Sequence, residues 1–370
     1  MNKTIKIVVG IVVLILAVWG ISSLFATKGP ETKQTIKIGV TLPLTGDVAM
    51  LGQSAKNAML LAKSQLPQNT KYNYEFVFED DQFKPSVGAS TANKLISVDG
   101  VSALVSFGSP VGNVVSPIAE KAHILHVNDF ASASSVANGD YNFIHYTPAY
   151  EDSKLFISEL NKRGIKKIAF FGQQDNPGVT AIIGAFEKDI KNTDIQVLST
   201  QKFNTGTRDF RTQINAVKNL NPEIYVLEAS SPELEILTKQ LREAGIKTPV
   251  TTMEAFEFSD QLSLFEGMWY VNGADPMTWF VDLYTKAYND SPKFGAANAY
   301  DVVNLIVQAA EKAGNGKIIP TSTQIKDALV SVKGFNGAVG NNLSIDADGL
   351  VISKAVVRII KDGKPVTISQ

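Results

Sequence analysis

Residues 36–62 read IKIGVTLPLTGDVAMLGQSAKNAMLLA. A short run rich in β-branched side chains passes into Pro-Leu-Thr-Gly, and beyond Asp47 the pattern changes. Ala55, Ala58, Ala62 and Leu66 recur at helical spacing, so the stretch predicts a strand, a turn and a helix. The alternation continues downstream. YNYEFVFED (72–80), SALVSF (102–107) and ILHVND (124–129) are expected strands, while PSVGASTANKLISV (85–98) and VVSPIAEKA (114–122) are expected helices. Strand and helix in alternation require a parallel sheet covered by helices, which makes the fold class α/β.

A strand, a Gly-containing turn and a helix N-terminus is also the arrangement that cradles phosphate. The spacing does not fit. Gly39, Gly46 and Gly52 do not form G-x-G-x-x-G, and no Gly-Lys-Ser/Thr follows any glycine. A plain turn and a ligand-facing turn both stay open for this stretch.

The pattern pauses at YTPAYEDS (146–153) and then restarts. KKIAFFG (166–172), IQVLST (195–200), EIYVLEA (223–229) and PVTTME (249–254) read as strands alternating with four helices. Phe210, Ile214, Val217 and Leu220 form one apolar stripe; Leu234, Leu237 and Leu241 form another. Ser231 before Pro232 has the form of a helix start, and Gly245 that of a stop. After MWYVNGA (268–274) come helices around TWFVDLYTKAYND (278–290) and NAYDVVNLIVQAAEKAG (298–314), then two β runs about the turn KDGK (361–364). The expected division is a first lobe at 36–147 and 275–346 and a second at 148–274 and 347–370. A chain that leaves one lobe, builds another and returns makes a hinge with a cleft.

With 370 residues, 44% of them hydrophobic, the chain is long enough for two cores. Its formal net charge is -1, a balance that argues against a nucleic-acid partner. It has no cysteine, which excludes disulfides, thiolate metal sites and a lipid-modified N-terminal cysteine. Ile7 to Thr27 carries no charge, and as a helix this run is roughly 30 Å long, the thickness of a bilayer's apolar core. Residues 1–27 are therefore expected to be an uncleaved membrane anchor or, alternatively, a signal peptide, with 28–35 as a polar tether. Lys3 and Lys6 before the apolar run place the N-terminus inside and the remainder extracytoplasmic, in the periplasm or on the outer face of the membrane.

No cofactor, metal or catalytic constellation is expected. His123, His126 and His145 stand outside any H-E-x-x-H context, and the serine of GSPVG (108–112) is not in a G-x-S-x-G elbow. Asp80 and Asp81 read as turn residues, and SIDADG (344–349) as a β-turn. What remains are polar groups at the C-terminal ends of strands, where open α/β sheets bind ligands. Ser109 follows SALVSF, and Ala131 and Ser132 follow ILHVND; a helix cap is the alternative role for Ser109. Glu254 ends PVTTME and has the charge to pair with an ammonium group, or is one more acid beside Glu257 and Asp260.

Several of these fragments, with EDDQFKPSVGASTANKLI (79–96), SPVGNVVSPIAEKA (109–122) and NPEIYVLEASSPELEILTKQLREAGIKTP (221–249), resemble the type I periplasmic solute-binding proteins. The resemblance covers residues 36–370 and is to the branched-chain amino acid (Leu/Ile/Val) binding family of ABC transporters. It implies two Rossmann-like lobes joined by three crossings that close on a small ligand by hinge motion. It also implies that Ser109 and Ala131 with Ser132 take the ligand carboxylate and that Glu254 takes its ammonium. Departures fall at the walls: Pro177 before Gly178, and Ser230 with Ser231, stand where amino-acid binders tend to carry tyrosine, and Leu51 where leucine binders have a large aromatic. Thr45 to Leu51 would line the ligand's path, with Leu51 near its side chain. The expectation is a non-enzymatic receptor that captures an amino acid or related small molecule for an ABC permease. The alternative is a membrane-anchored ligand-sensing ectodomain.

Overall fold

The computed structural model describes residues 33–369. The expected apolar helix at 1–27 and most of the tether lie outside the described residues, among which no helix is long and apolar enough to cross a membrane.

The opening stretch forms strand β1 (Thr35–Leu42) and helix α1 (Ala49–Ser64). β1 sits inside a six-stranded parallel sheet with β2 (Asn73–Asp80), β3 (Ala103–Ser106), β4 (Leu125–Asn128), β5 (Asn142–His145) and, from far downstream, β11 (Leu350–Val351). The strand order is β11-β5-β4-β3-β1-β2. Helices cover both faces, so β1 buries Ile36, Ile38, Val40 and Leu42 completely on one face and Thr41 on the other. Helices α2 (Pro85–Ser97) and α3 (Ser109–Ala122) pack together on this sheet.

The chain then crosses to a second lobe. There α4 (Ala149–Lys162), α5 (Pro177–Asp189), α6 (Arg211–Val217) and α7 (Glu233–Glu243) accompany a four-stranded parallel sheet. Its strands are β6 (Lys167–Gln173), β7 (Gln196–Phe203), β8 (Ile224–Glu228) and β9 (Val250–Thr251), in the order β7-β6-β8-β9. An antiparallel sheet of β10 (Trp269–Gly273), β12 (Ala355–Lys361) and β13 (Lys364–Ser369) joins it through the Met253–Val271 bridge. Between β10 and β11 the chain returns to the first lobe as α8 (Thr278–Tyr288), α9 (Ala296–Ala313) and α10 (Ser322–Val330), with α9 lying along α1.

Three segments, 146–148, 274–277 and 352–354, thus connect the lobes. The last crossing comes later than the boundary expected at 347, because Leu350 and Val351 still pair with β5. Arg358 binds the second crossing to the second lobe: it is buried, ion-paired with Glu257 and Asp275, and donates to the Gly273 carbonyl at 3.0 Å. Thr147 and Ser353 share a hydroxyl hydrogen bond of 2.7 Å between the first and third crossings.

The opening turn is fixed by Asp80, whose carboxylate accepts the Leu44 N–H at 2.9 Å and the Thr45 N–H at 3.2 Å. His126 bonds Ser106 and Asn142, and burial lowers its pKa to about 4, so it is a neutral core residue. His145 faces Asp301 at 3.3 Å inside the first lobe. Helix α7 starts after Pro232, and Ser231 does not cap it; the Ser231 hydroxyl lies 2.5 Å from the Glu235 carboxylate one turn on. Gly245 does end that helix, at φ +78° with its N–H on the Arg242 carbonyl.

Candidate ligand-binding cleft

The strand ends of the two lobes face one another, and Ser109, Ser132 and Glu254 meet there. Gly108, at φ +76°, is the N-cap of α3, which relieves Ser109 of the capping role. The buried Ser109 hydroxyl accepts the Ala133 N–H at 3.2 Å and keeps its own hydrogen to donate. From the second lobe, Glu254 is held at φ +83° with its N–H on the Val271 carbonyl. A non-glycine residue in that region carries backbone strain of about 1–3 kcal/mol, and here the twist aims the carboxylate across the cleft. Ser132 donates to Glu254 Oε2 at 2.7 Å, closing the lobes on each other. Glu254 Oε1 is buried without a hydrogen-bond partner.

Around these groups lies an inner chamber of about 30 Å³, room for one or two waters. Its walls include Phe83, Phe130 and Phe258. Phe130 stacks on Phe107 at 4.6 Å and meets Phe258 edge-on at 5.6 Å, which fixes its position. Phe83, Pro110, Asn176 and Ser230 separate this chamber from an outer one of about 390 Å³, lined by polar groups including Asp47, Gln82, Asp175, Arg208 and Ser231.

Several expected site residues lie elsewhere. Leu51 is completely buried in the core of the first lobe, because it falls four residues before Ala55 on the packed stripe of α1; Asp47 and Val48, just ahead of that helix, reach the outer chamber instead. Ala131 packs into the same core. Pro177 is the first residue of α5, and its neighbours Asn176 and Gly178 line the inner chamber in its place. Ser231 reaches only the outer chamber. The aromatic walls were missed in the sequence because Phe83, Phe130 and Phe258 come from irregular segments with no periodicity to mark them.

The chamber is acidic. Burial pushes Glu254 up to about 7, against the opposing Ser132 hydrogen bond. Burial raises Glu228 well above the usual carboxylate range, although the Met253 N–H and the Thr252 hydroxyl bond to it. Asp152, in the first turn of α4, is raised well above its ordinary value by burial and then by Glu254.

Gly178 brings α5 against α3 across the cleft: a Cβ there would sit 3.1 Å from Ser109 Oγ. Gly178→Leu is expected to hold the lobes apart and weaken ligand capture about tenfold or more, the size of a 1–3 kcal/mol overpacking penalty. Titration calorimetry measures the loss, and small-angle scattering should show a more open particle with an unchanged melting temperature.

Two α/β lobes joined by three crossings, with polar strand ends closing on a cleft, define a hinged solute-binding protein. A model of the periplasmic binding protein family matches residues 35–364, and the chain belongs to that family. It is 26% identical over 308 residues to the leucine-, isoleucine-, valine-, threonine-, and alanine-binding protein of Pseudomonas aeruginosa, covering 76% of this chain and 79% of that one. A leucine-binding protein from Thermotoga maritima has a similar structure, with TM-score 0.82 at 22% identity over 90% of this chain and 98% of that one. So does the isoleucine complex of a branched-chain amino acid transporter substrate-binding protein from Streptococcus pneumoniae, with TM-score 0.81 at 23% identity over 91% and 100%.

Proposed function

We propose that this protein is an extracytoplasmic, non-enzymatic receptor that captures an α-amino acid, or a small molecule with the same ammonium and carboxylate, for an ABC permease. One observation carries the reading: Glu254, strained and with one buried oxygen unpartnered, faces the Ser109 and Ser132 hydroxyls of the opposite lobe. An acid on one side and hydroxyl donors on the other complement a zwitterionic head. The names of the relatives support an amino acid. The Ser132–Glu254 bond occupies the ammonium's place in the closed form, so capture requires the lobes to part and reclose around the ligand.

The outer chamber would take the side chain. Its polar lining, with Ser230 and Ser231 where bulk was expected, favours a polar or larger side chain over a small aliphatic one. The apolar run at 7–27 would hold the receptor at the outer face of the membrane. A thermal-shift screen of the twenty amino acids and their amide and carboxylate analogues tests the reading. At least one should raise the melting temperature in proportion to RT ln(1 + [L]/Kd). No shift with any of them would refute the amino-acid assignment.

A further inference from the structure

Four buried polar atoms near the hinge have no hydrogen-bond partner: both carboxyl oxygens of Asp152, Glu254 Oε1 and the Tyr146 hydroxyl. Asp152 is completely buried, Glu254 is the first charged group that acts on it, and these two acids are also the first to act on Tyr146. Two carboxylates this close cannot both ionise in a dry site. The surroundings add no counter-charge: Glu228 on β8 and Glu151 on α4 are acidic, and Arg358 is engaged by Glu257, Asp275 and the Gly273 carbonyl.

We propose that Asp152 is the second carboxylate of the ammonium site and that a proton shared with Glu254 stands in for the ligand's ammonium in the ligand-free closed form, to be expelled on capture. This rests on the reading of the cleft as an amino-acid site. The charges balance: two carboxyls sharing one proton carry the same net charge as two carboxylates holding one ammonium. The valences match too, since an ammonium offers three N–H donors and Asp152, Glu254 and the Tyr146 oxygen supply three buried acceptors. Direction follows from the raised pKa of Glu254. The proton that the pair keeps must leave before the pair can hold an ammonium, so affinity rises with pH across the range in which that proton is bound.

The test is titration calorimetry of the full protein with each of the twenty standard L-amino acids, at pH 6 and pH 9, in buffers of differing ionisation enthalpy. Wild-type protein should release protons on binding, more per ligand at pH 6 than at pH 9. In Asp152→Asn the introduced amide donates to an ionised Glu254, so proton release at pH 6 should vanish and affinity should fall about tenfold or more. Absence of proton release by the wild type at pH 6 overturns the inference without any variant. Unchanged affinity and proton count in Asp152→Asn, with binding weakened in Glu254→Gln, overturns the inference alone. If no amino acid binds the wild type, the reading and the inference fall together.

Discussion

Glu254→Gln is expected to lower the affinity for the amino-acid ligand by about 10- to 150-fold, the range of one charge-assisted hydrogen bond of about 1.5–3 kcal/mol. The amide keeps the shape and loses the charge. The same variant should stabilise the ligand-free protein at pH 8. An acid whose folded pKa is raised contributes stability that is fully present below its unfolded pKa and is lost as pH rises through the folded value, about 7 for Glu254. At pH 8 the wild type therefore carries a buried charge that glutamine removes, whereas at pH 4 the two proteins should melt alike. Weaker binding with a higher melting temperature marks a group kept for function. Ser109→Ala should weaken binding at the lower end of the same range and leave this pH dependence in place, since Ser109 bonds Ala133 and not Glu254.

Arg358→Met is expected to cost about 3–5 kcal/mol of stability, because it strands a buried carboxylate and not because the ion pair itself is strong. Glu257 is almost as buried as Arg358 and also accepts from Asn272 and the Tyr270 hydroxyl, so without the guanidinium its charge has no cation beside it. Burial and Glu257 together raise the Tyr270 hydroxyl far above its ordinary pKa, which leaves it a neutral donor. Urea unfolding followed through the buried Trp269 on β10 measures the loss. The double variant Arg358→Met with Glu257→Gln should recover part of it; an undiminished loss in the double variant would mean that packing of the Arg358 side chain dominates.

The two-lobe plan was legible because its signal is periodic. β1 and α1 follow from the β-branched run and the alanine spacing of 36–62, and parallel sheets buried on both faces leave such runs plainly visible. Two strands escaped: in β5 the buried polar Asn142 and His145 interrupt the apolar run, and β11 is two residues beside the turn 344–349. That Ser109, Ser132 and Glu254 meet in one cleft was legible because open sheets bring their strand ends together at one edge. Leu51 was misplaced by position in the chain, when the stripe through Ala55, Ala58 and Ala62 already put it on the buried face. The Ser231 hydroxyl was taken by Glu235, a contact fixed by where α7 begins. Asp152 lay in a stretch that read only as a pause between lobes. Its role depends on which buried atoms are left without partners, and no spacing encodes that.

The zwitterion site is tested by comparing one amino acid with its des-amino analogue, identical in carboxylate and side chain, against wild-type protein and Glu254→Gln by titration calorimetry at pH 8. The wild type should prefer the amino acid by more than about tenfold, and Glu254→Gln should lose that preference. Equal affinity for the two ligands in the wild type, or an undiminished preference in Glu254→Gln, would contradict the site described here.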